Sequence, residues 1–111
     1  MNRSRAGLAQ FIEAQRLDYL QALPERMAQI DACWAQAQQA DGARDRLALL
    51  ERLGHGLYGT AGTFGLAGLS AAGHALETAA LALAELPQAT EAARQQVADA
   101  IEQVRRNLPA A

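Results

Sequence analysis

Apolar residues recur along this chain at helical spacing, with polar residues filling the positions between them. Leu8, Phe11, Ile12, Tyr19 and Leu20 mark a first amphipathic segment at about residues 6–22. Pro24 either opens a new helix in its first turn or kinks a continuous one. Met27, Ile30, Trp34 and Ala37 carry the apolar stripe onward over 24–39. Asp41-Gly42 reads as a turn, with Asp41 placed to cap the next helix. That helix is expected over 43–64, with Gly65 as a left-handed cap at its end. Leu66, Leu69, Gly73, Leu76, Ala80 and Leu83 define a helix over 67–85 that stops ahead of Pro87. Thr90 caps a last helix over 90–108, whose apolar face is Val97, Ile101, Val104 and Leu108, and Pro109 stops it. No segment alternates with the period of a strand. Short connections between long helices make successive helices antiparallel. The expected fold is therefore all-α: an antiparallel up-down four-helix bundle with an additional N-terminal helical segment, in one domain spanning 1–111.

Composition narrows the partners. Half of the 111 residues are apolar, many of them alanine, and aromatics are few, which suits closely packed helices. The net charge is −2 and the ten basic residues, all arginine, are scattered, so nothing argues for nucleic acid. Cys33 is the only cysteine, which excludes an intramolecular disulfide and fits a reducing compartment. Beside Trp34 it reads as a small buried or half-buried filler. No stretch reaches the ~20 apolar residues of a membrane span, and the N-terminus lacks the apolar core of a signal peptide. A soluble, cytoplasmic monomer is expected, either freestanding or part of a larger signalling protein.

The helix over 43–64 carries an anomaly. Gly54, Gly56, Gly59 and Gly62 crowd around His55. Each glycine inside a helix costs about 0.5–1 kcal/mol relative to alanine, and this chain uses alanine freely elsewhere. At about 100° per residue, Leu50, Leu53, Leu57, Ala61 and Phe64 fall opposite His55, while Ala48, Glu51, Arg52, Tyr58, Gly59 and Gly62 fall on its own side. His55 is thus expected on an outward face with little side-chain bulk downstream. One alternative is that the glycines form a packing seam between helices.

The run from His55 through Leu57, Tyr58, Gly59, Thr60-Ala61-Gly62-Thr63 to Phe64-Gly65, continued by Leu66, Leu69 and Leu76-Glu77, resembles the signature of histidine-containing phosphotransfer (HPt) domains. One position departs from it: Tyr58 stands where a lysine is common. The resemblance implies that His55 accepts a phosphoryl group on Nε2 from the aspartyl phosphate of a response-regulator receiver domain and passes it to another receiver aspartate. It implies receiver domains and a hybrid sensor histidine kinase as partners. It also implies no cofactor of the chain's own, since the receiver brings Mg²⁺ and a lysine. On this reading the protein is a phosphoryl carrier and not an enzyme. Ala48, Glu51, Arg52, Tyr58, Gly59 and Gly62 would form the face that meets the receiver. Arg52 is a candidate for the positive charge that Tyr58 lacks.

The other chemistry-bearing residues read more plainly. His74 lies away from the Leu69/Leu76 stripe and is expected to be an ordinary surface residue. No cluster of His, Cys and carboxylates has convincing metal-ligand spacing, and the glycines match no phosphate-binding loop. Trp34 and Phe64 are expected to be core anchors, and Thr60 and Thr63 small packing residues. Two other functions fit the same sequence. One is a helical bundle that only docks a receiver; the other is the phosphotransfer module of a chemotaxis-type histidine kinase.

Overall fold

The computed structural model describes residues 2–39 and 43–110. Among these, four helices succeed one another: α1 (Asn2–Ala37), α2 (Ala43–Thr63), α3 (Ala67–Glu85) and α4 (Glu91–Arg106). The Asp41-Gly42 turn and the Asp41 cap lie outside the described residues. Of the two expectations at Pro24, the continuous helix is the one found, and the N-terminal segment is simply the first half of α1. Pro24 removes the amide that would bond the Leu20 carbonyl. It sits on the exposed side of α1, where water can satisfy that carbonyl.

Specific contacts set the helix directions. The Cys33 thiol donates to the Arg46 carbonyl at 3.0 Å, and the Tyr19 and Phe64 rings meet with centroids 5.4 Å apart, so α1 and α2 run antiparallel. Burial pushes the Cys33 thiol pKa up. The Ser70 hydroxyl donates to the Tyr58 carbonyl at 2.7 Å, which fixes α3 against α2. Arg105 grips Asp31 through two hydrogen bonds of 2.8 and 3.0 Å, joining α4 to α1. The core between them holds Ile30, Leu50, Leu69, Leu76, Val97 and Val104, each essentially inaccessible to water. The apolar faces of α2, α3 and α4 are thus the ones their periodicity indicated. Trp34 and Phe64 are only partly buried and pack at the margin of this core.

Two helix ends are explained directly by their residues. Gly65 takes φ +77°, a left-handed conformation that favours glycine. Its amide bonds the Gly62 carbonyl and the Leu66 amide bonds the Ala61 carbonyl, the paired pattern of a Schellman cap. At the start of α4 the Thr90 hydroxyl accepts from the Ala93 amide at 3.1 Å.

The first half of α1 departs from the sequence expectation. Leu8 and Phe11 are each 60% exposed and Ile12 is 51% exposed, so these apolar residues take no part in the core. Length explains this. At 1.5 Å per residue, α1 is about 54 Å long and α2 about 32 Å. The molecule measures 59 × 22 × 20 Å, and α1 overhangs the end of the bundle where α2 turns into α3.

Candidate functional site

His55 stands in the middle of α2 with its side chain 72% exposed. Leu50, Leu57 and Ala61 are buried behind it, as the helical wheel required; Leu53 and Phe64 are half-buried. Around it, Ala48, Arg52, Tyr58, Gly59 and Gly62 are exposed and Glu51 is half-buried.

The glycines divide into two kinds. A Cβ on Gly56 or Gly59 would meet nothing within 4 Å. The bundle's own packing therefore does not demand glycine at either position, and the surface beside His55 is left bare. A Cβ on Gly62 would lie 3.2 Å from the Ser70 hydroxyl, so that position also accommodates α3. Gly54 is buried and faces α3 directly, which is the packing-seam role. The packing-seam alternative therefore applies at Gly54 and not at Gly56 or Gly59.

The sequence did not indicate the partner of His55. Glu77 on α3 places its Oε2 2.5 Å from Nδ1 of His55. An ionised carboxylate can only accept, so this bond puts the ring hydrogen on Nδ1. In the neutral ring Nε2 then keeps its lone pair. The Glu77 side chain is itself only 20% exposed. Its other oxygen lies 3.5 Å from Nδ1 of His74, a loose ionic contact when that ring is protonated. The Tyr58 ring rests against His74, with centroids 4.7 Å apart. His74 is exposed, as expected, yet it belongs to this cluster. Tyr58 thus touches this cluster through His74 as well as forming part of the outer face. A signal for Glu77 was present in the sequence: it borders the buried Leu76 and lies 22 positions from His55, nearly symmetric with it about the turn at Gly65. Antiparallel helices joined by so tight a turn bring such residues level.

Thr63 turns outward and donates from its hydroxyl to the Gly59 carbonyl at 3.0 Å, so it does not pack between helices. Among the described residues, no group of three or more His, Cys, Asp and Glu is arranged to hold a metal ion. No described helix is long and apolar enough to cross a membrane.

A family model described as the Hpt domain matches residues 8–107, nearly all of the chain, and includes the whole His55 and Glu77 arrangement. The chain belongs to the Hpt domain family. Domains of this family are phosphocarriers that take part in histidine phosphotransfer in phosphorelays and interact with receiver domains of two-component systems. No curated protein and no solved structure matches the chain significantly.

Proposed function

We propose that this chain carries a phosphoryl group on His55 between receiver aspartates of a two-component phosphorelay. The observation that carries this reading is the state of the His55 ring: Nδ1 is engaged by Glu77 at 2.5 Å, while the ring as a whole faces solvent. Nε2 attacks the phosphorus of an aspartyl phosphate in line. The N–P bond forms as the acyl-phosphate P–O bond breaks, and the aspartate leaves as a carboxylate. Attack gives the imidazole ring positive charge, and the Nδ1–H···Glu77 hydrogen bond stabilises it where it develops. A carboxylate on a second receiver then attacks the same phosphorus and regenerates neutral His55. Phosphoryl transfer depends mainly on positioning and charge stabilisation, so the carrier itself needs little further machinery. Any Mg²⁺ belongs to the receiver.

The bare surface over Gly56 and Gly59 suits the approach of a receiver's active-site loops. Arg52, exposed on the same side of α2, is the residue of this face that can offer a guanidinium to the incoming phosphoryl group. Tyr58 offers only a hydroxyl there. His74, which contacts Glu77, is a second source of positive charge when protonated.

The test is incubation of the full chain with a panel of receivers charged by a small phosphodonor. Acid-labile, base-stable label should appear on the chain and be lost in His55→Gln. Label that survives in His55→Gln, or label from a kinase domain but from no receiver, counts against the relay reading; the second outcome favours the chemotaxis-type module. In the same assay Arg52→Ala should slow transfer more than Tyr58→Phe. Unchanged rates in both variants remove each from the chemistry.

A further inference from the structure

Beside the site, the backbones of α2 and α3 come unusually close. A Cβ on Gly54 would lie 2.7 Å from the Glu77 amide nitrogen, 2.7 Å from the Gly73 carbonyl oxygen and 3.2 Å from the Glu77 Cα. A Cβ on Gly73 would lie 2.6 Å from the Leu57 Cβ, 2.8 Å from the Gly54 carbonyl oxygen and 2.8 Å from the Tyr58 amide nitrogen. All but one of these neighbours are backbone atoms, and the exception is a Cβ. None can rotate aside, so a methyl group at either position has to push the helices apart.

This crossing coincides with the site. Gly54 is the residue before His55, and the backbone it touches on α3 is that of Glu77. Gly73 lies one turn before Glu77, and the backbone it touches on α2 is that of Tyr58. The residues that forbid a side chain are thus the immediate supports of the acceptor histidine and of its hydrogen-bond partner. The margin is small. Relieving contacts of 2.7 Å to ordinary van der Waals distance takes ~0.7 Å or more, which carries a short hydrogen bond to the long end of the N–H···O range and tilts it as the helices part. A Glu77 carboxylate moved outward by that amount exchanges its 2.5 Å contact with Nδ1 of His55 for a longer, weaker one.

We infer that Gly54 and Gly73 are positioning residues: their close approach places the Glu77 carboxylate on Nδ1 of His55 and thereby selects the tautomer in which Nε2 is free. The significance of that tautomer for phosphotransfer rests on the function proposed above; the geometric claim does not. The two glycines act at the helix interface, in contrast to Gly56 and Gly59, whose Cβ positions are open.

The test reads the ring directly. ¹⁵N NMR of the His55 imidazole in the full chain should show the Nδ1-protonated tautomer dominant in the wild type. Gly54→Ala and Gly73→Ala should shift the tautomer ratio to that of Glu77→Ala, while Gly56→Ala leaves it at the wild-type ratio. Helix content and a cooperative unfolding transition establish that each variant folds. The wild-type spectrum alone keeps the claim testable if neither glycine variant folds, because a dominant Nε2-protonated ring overturns it. So does a folded Gly54→Ala with the wild-type tautomer. In phosphotransfer, Gly54→Ala should lose about the same factor as Glu77→Ala, roughly tenfold, and the double variant should be no slower than Glu77→Ala. Additive losses in the double variant overturn action through Glu77. If no receiver phosphorylates His55 while the tautomer shifts as stated, the carrier reading fails and the positioning claim stands.

Discussion

At the residue scale, the ring of His55 is engaged by one carboxylate. Glu77 is mostly covered and spends one oxygen on His55 and the other on a looser contact with His74. Replacing Glu77 by alanine removes the acceptor and, on the proposed function, the charge that would stabilise a phosphorylated ring. Single-turnover transfer from a charged receiver should slow roughly tenfold, equivalent to about 1.4 kcal/mol. Glu77→Gln, which keeps an acceptor oxygen without the charge, should fall between. An unchanged rate in Glu77→Ala removes the residue from the mechanism. Tyr19 presents the opposite case, a polar atom with nothing to do. Its ring is buried against Phe64, but its hydroxyl makes no hydrogen bond. Tyr19→Phe keeps the ring contact and should leave stability unchanged or raise it by up to about 1 kcal/mol in urea unfolding. Burial raises the Tyr19 pKa above its ordinary 10.0. The folded state therefore holds this proton longer than the unfolded chain does. Wild-type stability should fall as pH rises past about 10, and Tyr19→Phe should lack that part of the decline.

At the element scale, α2 must satisfy three demands at once. One face packs the core through Leu50, Leu57 and Ala61. Another meets α3 at Gly54. The third leaves His55 bare beside Gly56 and Gly59. The third demand conflicts with helix stability, because an exposed glycine inside a helix is costly. Gly59→Ala should therefore stabilise the folded protein by about 0.5–1 kcal/mol and, on the proposed function, slow transfer by placing a methyl group where a receiver would approach. Thermal unfolding and the transfer assay on the same sample separate the two effects. A variant that is both more stable and fully active shows that the receiver does not need this surface bare. The turn after α2 belongs to the same design. Gly65 and its two cap hydrogen bonds fix where α3 begins, hence which α3 residue stands level with His55.

At the scale of the whole molecule, the bundle is one core with a long helix running past it. Near the turn between α2 and α3, α1 keeps its apolar stripe but loses its partners, because α2 is about 22 Å shorter than α1 and the other helices shorter still. The same residue type then carries different weight along one helix. Ile30, 1% exposed, lies inside the bundle, whereas Phe11 lies on the overhang. Ile30→Ala should cost about 2–5 kcal/mol. Phe11→Gln should stay within about 0.5 kcal/mol of wild type. Urea midpoints of the two variants check the contrast, and a large loss in Phe11→Gln shows that the overhang packs against something in solution.

Periodicity, caps and turns are local properties, written in residues that are close along the chain. The spans of α2, α3 and α4, their apolar stripes, the Thr90 and Gly65 caps and the outward face of His55 were legible for that reason. The continuity of α1 through Pro24 was not. A proline amide leaves a carbonyl unpaired, and only the exposure of that side of the helix decides whether water can bond it. The stranding of Leu8, Phe11 and Ile12 was equally hidden, because it depends on the lengths of helices elsewhere in the chain. The contacts of His55 depend on how closely, and in what register, two helices cross. Packing of α2 on α3 is what makes Gly54 and Gly73 face each other, brings Glu77 to Nδ1 and sets the Tyr58 ring against His74. None of these residues is near its partner until the two helices fold back upon each other.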